Sequence, residues 1–516
     1  MRVGGRRNEP PSDPAAICCL FMSRHGRDDP QRTSDPIDPE GPSDRERRLA
    51  GWGLLVVVAG SLVVQLALIQ ADRPPSWDES IYISQVTPEM HAMFLRAFRA
   101  RGITYLIAPI TLSGGSVELV RLYLMVLSSL AVGVTFAITI PLIGLAAPIA
   151  AAFFTSSWLF VFNGSAVLPN LWAAILGLAM TALIARRLDG GGTRYVVLAA
   201  ASLAGMAVVR PTEAVVVFGA IGLCLLLSRR ASWRLVPILG VGLFLGLLPW
   251  FVEVSLRFGG PTRGLAVAHT EQHLVLADAG ANLSAYLAAT DGRPSPDIPL
   301  AGVLWWSSLV VLSVVAIARS SGSRRSIVLL CGAGALVLAA EYLVFVSAVA
   351  PRFLLPAYAF IAIPVAVGLH SLLRGGILAR SAGALVLVLV GPWIVWQAGV
   401  AERVGDEQRE ELVNFRDVGL QLREMADGRP CAFMSPHGWP AIEFAAGCRG
   451  SALARPRGPS ERELERLSVG GRRGFVILRA RPRPRSPLTR ITPVRFEGNG
   501  QSRRWIWFIY EIPSLR

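Results

Sequence analysis

The amino-acid sequence predicts a polytopic α-helical membrane protein with about eleven transmembrane helices and a small extracytoplasmic C-terminal α/β domain. Of its 516 residues, 52% are hydrophobic and only 17% are charged, which is too apolar for an ordinary soluble protein. Tracts of roughly 18 to 22 apolar residues recur along the chain, the length that an α-helix needs to cross about 30 Å of hydrocarbon. Arginines lie in alternate connectors between these tracts, as the positive-inside rule requires.

The N-terminal segment, residues 1–48, is rich in proline, aspartate, arginine, glycine and serine. Such a segment buries too little apolar surface to offset the entropy lost on ordering, so we expect a disordered tail. The first span follows at about 49–70. Arg45, Arg47 and Arg48 precede it directly, which predicts that the tail is cytoplasmic.

The remaining spans continue to about residue 400, so that residues 49–400 form the transmembrane domain. They are predicted at 117–140, 143–162, 167–184, 195–209, 214–227, 235–252, 300–318, 327–346, 353–373 and 382–398. The connectors predicted to be cytoplasmic carry Arg186, Arg187, Arg194, Arg229, Arg230, Arg234, Arg319, Arg324, Arg325, Arg374 and Arg380. An odd number of crossings leaves the segment 401–516 outside the cell membrane.

Two exterior connectors are long, 72–116 and 253–299. Within the first, the segment 88–101 places apolar and basic side chains on different sides, the pattern of a helix lying in the membrane interface. Its apolar side consists of Met90, Met93, Phe94, Ala97 and Phe98. The apolar segment 103–112 is too short to span and is expected to be re-entrant or interfacial.

The C-terminal segment 401–516 alternates helical and extended patterns. Helices are predicted at 407–426 and near 441–446, and strands at 431–435, 474–479 and 505–511, which together indicate a small α/β domain. Cys431 and Cys448 are its two cysteines. An oxidising compartment would permit a disulfide between them, but the sequence leaves their geometry open.

The formal net charge of +15 is typical of nucleic-acid-binding proteins. Here the arginines are scattered over the tail, the connectors and the C-terminal segment, without the interleaved aromatic residues of a recognition module. We therefore expect the lipid bilayer, and not a nucleic acid, to be the partner of this basic chain.

Two adjacent carboxylates, Asp78 and Glu79, stand directly after the first span. At a membrane boundary two such groups lose hydration and repel each other, so a site there must use them on a metal, a cation or a proton. A solvated loop whose turn is marked by Pro74 and Pro75 is the other interpretation, and spacing alone favours it.

The acidic pair and its surroundings resemble the first exterior loop of the C-type (GT-C) glycosyltransferases, which include the protein O-mannosyltransferases and the aminoarabinose transferases of lipid A. Three features carry the resemblance: the Asp78-Glu79 pair after the first span, the predicted interfacial helix behind it, and the segment Ala350-Pro351-Arg352-Phe353-Leu354-Leu355-Pro356 at the start of a late span. The last is similar to an Arg-(Phe/Tyr)-Leu-Leu-Pro motif of bacterial members. In topology the resemblance covers about residues 49–400.

This resemblance implies an inverting transfer of a sugar from a polyprenyl-phosphate donor to a glycan, lipid or protein acceptor of the cell envelope. Asp78 would be the general base, and Glu79 would orient the acceptor or share a cation. Arg352 would bind the donor phosphate, although a snorkelling interfacial anchor is its other interpretation. Arg210, at another exterior boundary, has the same two interpretations, and Tyr82 is a further candidate substrate-binding residue.

His269, Glu271 and His273 lie in the second long exterior connector, with the two histidines four residues apart. On a helix both would face one side, where they could hold a metal, but histidines in polar loops are more often hydrogen-bonding groups. No cofactor is required by the sequence, and a divalent metal is the one candidate.

Two other classes of function stay open at this stage. A secondary transporter keeps ionisable residues near the bilayer midplane, whereas the predicted mid-span positions here are almost all apolar. A non-catalytic envelope scaffold would bind a partner through the exterior domain and would tolerate the loss of Asp78.

Overall fold

The computed structural model confirms a polytopic, mostly helical chain with a small C-terminal sheet domain. It describes residues 41–513 except 89, 94–95, 98, 229–230, 273–276, 293–297, 454–457, 469–471, 483–485 and 499–504. Most of the predicted tail, including Cys18 and Cys19, therefore lies outside the described residues, as do Arg229, Arg230 and His273.

The regular secondary structure of the described residues up to 426 is almost entirely helical. They are α1 (Asp44–Leu68), α2 (Trp77–Ser84), α3 (Gly102–Thr111), α4 (Val117–Ile143), α5 (Ala146–Thr155), α6 (Trp158–Asn163), α7 (Asn170–Leu188), α8 (Arg194–Val209), α9 (Pro211–Leu227), α10 (Leu235–Phe258), α11 (Pro261–Gln272), α12 (Ala279–Ala288), α13 (Leu300–Arg319), α14 (Gly322–Ala340), α15 (Leu355–Leu373) and α16 (Ile377–Ala426). A π-helical turn, Glu341–Phe345, extends α14, and a 3₁₀ turn, Pro351–Leu354, precedes α15.

Eight of the helical segments in the described residues are long and apolar enough to cross a membrane. The predicted spans at 195–209 and 214–227 are the shorter helices α8 and α9, of 16 and 17 residues. The predicted span at 143–162 is broken into α5 and α6, because the Ser157 side chain caps a new helix by accepting a hydrogen bond from the Phe160 backbone. The count of eleven crossings stays a prediction.

Three local expectations differ from the structure. Residues 44–48 are helical and not part of a disordered tail, since the Ser43 hydroxyl caps α1 by accepting from the Glu46 N–H. The prediction of an interfacial helix at 88–101 is wrong for the described residues of that segment, which are not helical. Phe94 and Phe98 are not among the described residues. The acidic pair lies on a helix, α2, and not in a loop.

The helical bundle is built around α7 and α15, whose residues are mostly buried. The apolar sides of α1, α10, α13 and α16 are largely exposed, as expected for surfaces that contact lipid. Helices α8 and α10 pack closely through Gly242 and Gly246, where any side chain would collide with the backbone of Ala200 and Ala204. This is the small-residue contact that lets membrane helices approach.

The C-terminal domain is a five-stranded sheet with flanking helices, as predicted. Its strands are β1 (Cys431–Ser435), β2 (Arg449–Ala452), β3 (Arg473–Leu478), β4 (Val494–Gly498) and β5 (Trp505–Ile512), and its helices are α17 (Trp439–Ala446) and α18 (Glu461–Ser468). The order is β2-β1-β3-β5-β4, with β1 parallel to β2 and β3, and β5 antiparallel to β3 and β4. Cys431 and Cys448 form a disulfide, which settles the question that the sequence left open.

The predicted helix at 407–426 is the second half of α16, a continuous helix of 50 residues. Its first half is a membrane span and its last turns pack on the core of the sheet domain, which includes Phe415 and Leu422. The chain therefore passes from membrane to soluble domain inside one helix. A boundary at residue 401 stays a prediction.

Candidate active site

Helix α2 presents the acidic pair because of a capping interaction at its start. The Glu79 carboxylate accepts a hydrogen bond from the backbone N–H of Ser76 at 2.8 Å, which ends the extended Pro74-Pro75 segment and begins the helix. The Ser76-x-x-Glu79 spacing is a capping-box signature. This signal was present in the sequence and would have predicted the helix.

Asp78 is held by two arginines from distant parts of the chain. Its Oδ1 accepts from Nη2 of Arg99 at 2.6 Å, and its Oδ2 accepts from Nη2 of Arg352 at 2.9 Å. Arg352 lies in the 3₁₀ turn before α15, 274 residues away. The fold thus brings together two predicted site residues, Asp78 and Arg352. It adds Arg99, a basic residue of the segment 88–101.

The charge state of Asp78 follows from these partners. Burial by itself raises the pKa of the Asp78 carboxyl, but the guanidinium groups of Arg99 and Arg352 outweigh burial, so that its pKa lies below the ordinary value. Asp78 is therefore an anion at neutral pH in the ligand-free protein.

Glu79 has a different environment, although it is the next residue. Its side chain is 1% exposed and binds Arg121 at 2.8 Å, the backbone N–H of Val167 at 3.1 Å and, more distantly, Arg73 at 3.9 Å. Burial opposes ionisation of this carboxyl, yet Arg121 and Arg73 hold its pKa well below the usual range. These contacts tie α2 to α4 and to the segment before α7.

Arg210 and Tyr82 are the other two predicted substrate-binding residues. Tyr82 is buried one turn along α2, with the Arg99 guanidinium 5.6 Å from its ring centre. Arg210 binds Glu213 at 2.6 Å and the hydroxyl of Tyr342 at 2.7 Å, and Tyr342 in turn donates to Glu213. Sequence reasoning singles out Arg210 but not Glu213 or Tyr342, because the start of α9 and the π-helical turn meet only in the folded chain. The binding roles of Arg210 and Tyr82 stay predictions.

A cavity of about 410 Å³ opens in front of Asp78. Its wall includes Asp78 and Arg352, the aromatic residues Trp158 and Phe162 of α6, and Gln408 of α16. The side chain of Asp78 is 23% exposed and that of Arg352 is 36% exposed. A carboxylate and a guanidinium, both partly exposed, therefore share the wall of one open cavity.

The sheet domain lies against this cavity. Trp77, next to Asp78, packs edge-on against Trp439 of α17 with ring centres 5.5 Å apart. Arg409 of α16 binds Asp72 at 2.6 Å. The cavity and the disulfide-bonded domain are therefore on the same side of the membrane.

The metal candidates remain untested by the structure. His269 and Glu271 are in α11, but their side chains, like all of His273, are outside what the structure describes. Near Asp78 a divalent cation would need several oxygen ligands. Both Asp78 oxygens bind guanidinium groups and Glu79 binds Arg121, and among the described residues no three His, Cys, Asp or Glu side chains lie close enough together to hold a metal ion.

The chain thus combines a helical bundle, a short acidic helix after the first span and a C-terminal soluble domain. Solved structures with this fold match the chain: ArnT from Cupriavidus metallidurans bound to undecaprenyl phosphate, with a TM-score of 0.65, 13% sequence identity, and coverage of 90% of this chain and 98% of that one. The apo form of the same protein gives a TM-score of 0.61 at 14% identity, covering 90% and 99%.

The oligosaccharyltransferase of Archaeoglobus fulgidus, solved with Zn and sulfate, matches with a TM-score of 0.52 and 10% identity, covering 82% of this chain and 67% of that one. These are GT-C glycosyltransferases, so the fold predicted from the acidic pair and the Arg352 segment is confirmed. No family model and no curated protein sequence matches the chain.

Proposed function

We propose that the chain is a glycosyltransferase that moves a sugar from a polyprenyl-phosphate donor to a cell-envelope acceptor on the outer face of the cytoplasmic membrane. The observation that carries the proposal is the meeting of Asp78 and Arg352 at the wall of one cavity. The match to ArnT, whose structure contains undecaprenyl phosphate, supports a lipid-phosphate donor.

In this proposal Asp78 is the general base. It takes the proton from an acceptor hydroxyl, whose oxygen attacks the anomeric carbon while the bond to the donor phosphate breaks. Arg352 binds the departing phosphate, because its planar guanidinium matches phosphate oxygens bidentately. A single displacement inverts the anomeric carbon. Glu79, bound to the buried Arg121, holds α2 in place and thereby positions Asp78.

The disulfide supports the outward orientation. Disulfides persist in oxidising compartments and are rare in the cytoplasm, and the Cys431–Cys448 bond belongs to the domain that packs beside the cavity. A sugar nucleotide is cytoplasmic, so an outward cavity favours a lipid-linked donor. The acceptor is a glycan, lipid or protein with an accessible hydroxyl, and hexosyl and pentosyl donors both fit this chemistry.

Replacement of Asp78 by Asn tests the assigned base. We expect transfer to fall by about 10²- to 10⁴-fold, the usual contribution of a general base, when envelope glycan composition is measured in a deletion host. Asp72→Asn is the matched control, since Asp72 is an exposed acid in the same connector. The control should restore the missing sugar.

Membrane insertion and thermal stability of both variants are checked first. If Asp78→Asn restores the sugar as well as the control does, Asp78 is not the base. A non-catalytic scaffold would give that result.

A further inference from the structure

The two arginines on Asp78 differ in their surroundings. The Arg99 side chain is 9% exposed, and its guanidinium lies over the ring of buried Tyr82. The Arg352 side chain is 36% exposed and lines the cavity. Arg99 is therefore a fixed partner of Asp78, whereas Arg352 has room to move and is open to an entering ligand.

Arg352 has two possible anionic partners in the proposed reaction. In the ligand-free structure its Nη2 donates to Asp78 Oδ2. A phosphate entering the same cavity offers more acceptor oxygens and more negative charge than one carboxylate oxygen. Arg210 differs from Arg352 in that its guanidinium binds Glu213 and the Tyr342 hydroxyl and, within the described part of the chain, makes no hydrogen bond to Asp78.

The hydrogen bond from Arg352 limits the ability of Asp78 to act as a base. Both of its oxygens accept hydrogen bonds from guanidinium groups, and a carboxylate paired in this way holds a proton poorly. An acceptor hydroxyl also needs one of these oxygens within hydrogen-bond reach. Oδ2 is the oxygen that Arg352, itself a residue of the cavity wall, covers.

We propose that Arg352 exchanges partners: the donor phosphate withdraws it from Asp78, which uncovers Oδ2 for the acceptor hydroxyl while Arg99 continues to hold Oδ1. The inference rests on the proposed function and deepens it, because it makes the base available only after the donor has bound. The acceptor proton then passes to Oδ2, the acceptor oxygen bonds to the anomeric carbon, and the electrons of the broken carbon–oxygen bond remain on the phosphate that Arg352 holds.

The test is a double-mutant cycle on donor-phosphate binding. The affinity of the purified full-length chain in lipid nanodiscs for undecaprenyl phosphate is measured for the wild type, Asp78→Asn, Arg352→Gln and the double variant. If Asp78 competes with the phosphate for Arg352, Asp78→Asn binds the lipid about tenfold more tightly or better, a coupling typical of close charge pairs. That gain disappears when Arg352→Gln is also present.

A matched control separates this exchange from a general loss of negative charge. Asp72→Asn removes one carboxylate from the same connector but not from the cavity wall, so it should leave the affinity unchanged. If any variant has a lower melting temperature than the wild type, Asp78→Ser and Arg352→Met replace the two substitutions in the same cycle.

The outcomes are distinct. No gain from Asp78→Asn, or a gain that persists without Arg352, overturns the exchange and leaves the proposed function standing. Failure of the wild type to bind undecaprenyl phosphate, with folding verified, overturns both.

Discussion

At the scale of single residues, Asp78 and Glu79 show that neighbours in sequence need not share a site. Consecutive residues on a helix point about 100° apart. The Asp78 side chain is consequently 23% exposed at the cavity wall, whereas the Glu79 side chain is 1% exposed and binds Arg121 and the backbone N–H of Val167. The pair therefore consists of one partly exposed carboxylate at the cavity wall and one buried carboxylate that anchors α2 to α4.

Glu79→Gln should destabilise the folded chain by about 3–5 kcal/mol, because it leaves the fully buried Arg121 without a carboxylate partner. The free energy of unfolding is measured by denaturant titration in detergent micelles. Asp72→Asn breaks an exposed ion pair and should cost at most about 1 kcal/mol. Equal stability of the two variants would show that the buried ion pair does not anchor α2.

At the scale of elements, α17 connects the sheet domain to the cavity. Its first residue, Trp439, packs on Trp77, and Glu443, about one turn further along, accepts a hydrogen bond from the Gly450 backbone at 3.0 Å. Burial raises the pKa of Glu443 to about 7, although the hydrogen bond from Gly450 and the charge of Arg449 lower it. Among the described carboxyl groups of this domain, Glu443 is the one whose pKa is raised toward neutral pH.

The sheet domain should lose stability as pH rises from about 4.5 to 7. A carboxyl whose pKa is raised on folding stabilises the folded state below its unfolded pKa of about 4.3, and this contribution is lost as pH rises through the folded pKa. The melting temperature is measured for wild type and Glu443→Gln at pH 5 and pH 7.5. We expect the melting temperature of the variant, relative to that of the wild type, to be higher at pH 7.5 than at pH 5. The same difference in melting temperature at both pH values would contradict the raised pKa of Glu443.

At the scale of the whole molecule, the disulfide domain and the cavity share one side of the membrane. The contacts that establish this are long-range: Trp77 with Trp439, and Asp72 with Arg409. Because the side of the disulfide is also the side of Asp78, one topological measurement decides whether the proposed donor can reach the base.

Cysteine labelling provides that measurement. In a background with Cys18, Cys19, Cys224 and Cys331 replaced, Asp72→Cys should react with a membrane-impermeant maleimide in intact cells, since residue 72 is exposed beside the cavity. Thr193→Cys, exposed between α7 and α8, should react only after permeabilisation. The reverse pattern would place Asp78 in the cytosol and remove the proposed outward reaction.

Much of the fold was predictable because its signals are local. Apolar tracts long enough to span a membrane predict helices from the local sequence alone. Extended patterns in the C-terminal segment predicted β1, β3 and β5 to within about one residue of their observed bounds. Helix capping sets two helix boundaries that the hydrophobic pattern does not predict. Ser157 caps a new helix inside a predicted span, and the hydrogen bond between Ser76 and Glu79 marks the start of α2. The segment 88–101 has a helical pattern but no helix in its described residues, because pattern alone does not decide backbone structure.

The sequence by itself determined that the chain is a membrane helix bundle with a soluble α/β domain, since hydrophobic length and periodicity act over a few turns of chain. It also singled out Asp78 and Arg352, through a resemblance in short motifs. Only the tertiary structure decided which arginines hold Asp78, that Glu79 is sealed against Arg121, and that Cys431 and Cys448 are bonded. Those partners are 17 to 274 residues apart, and ion pairs or disulfides between distant residues depend on how the helices and strands pack, which no local pattern encodes.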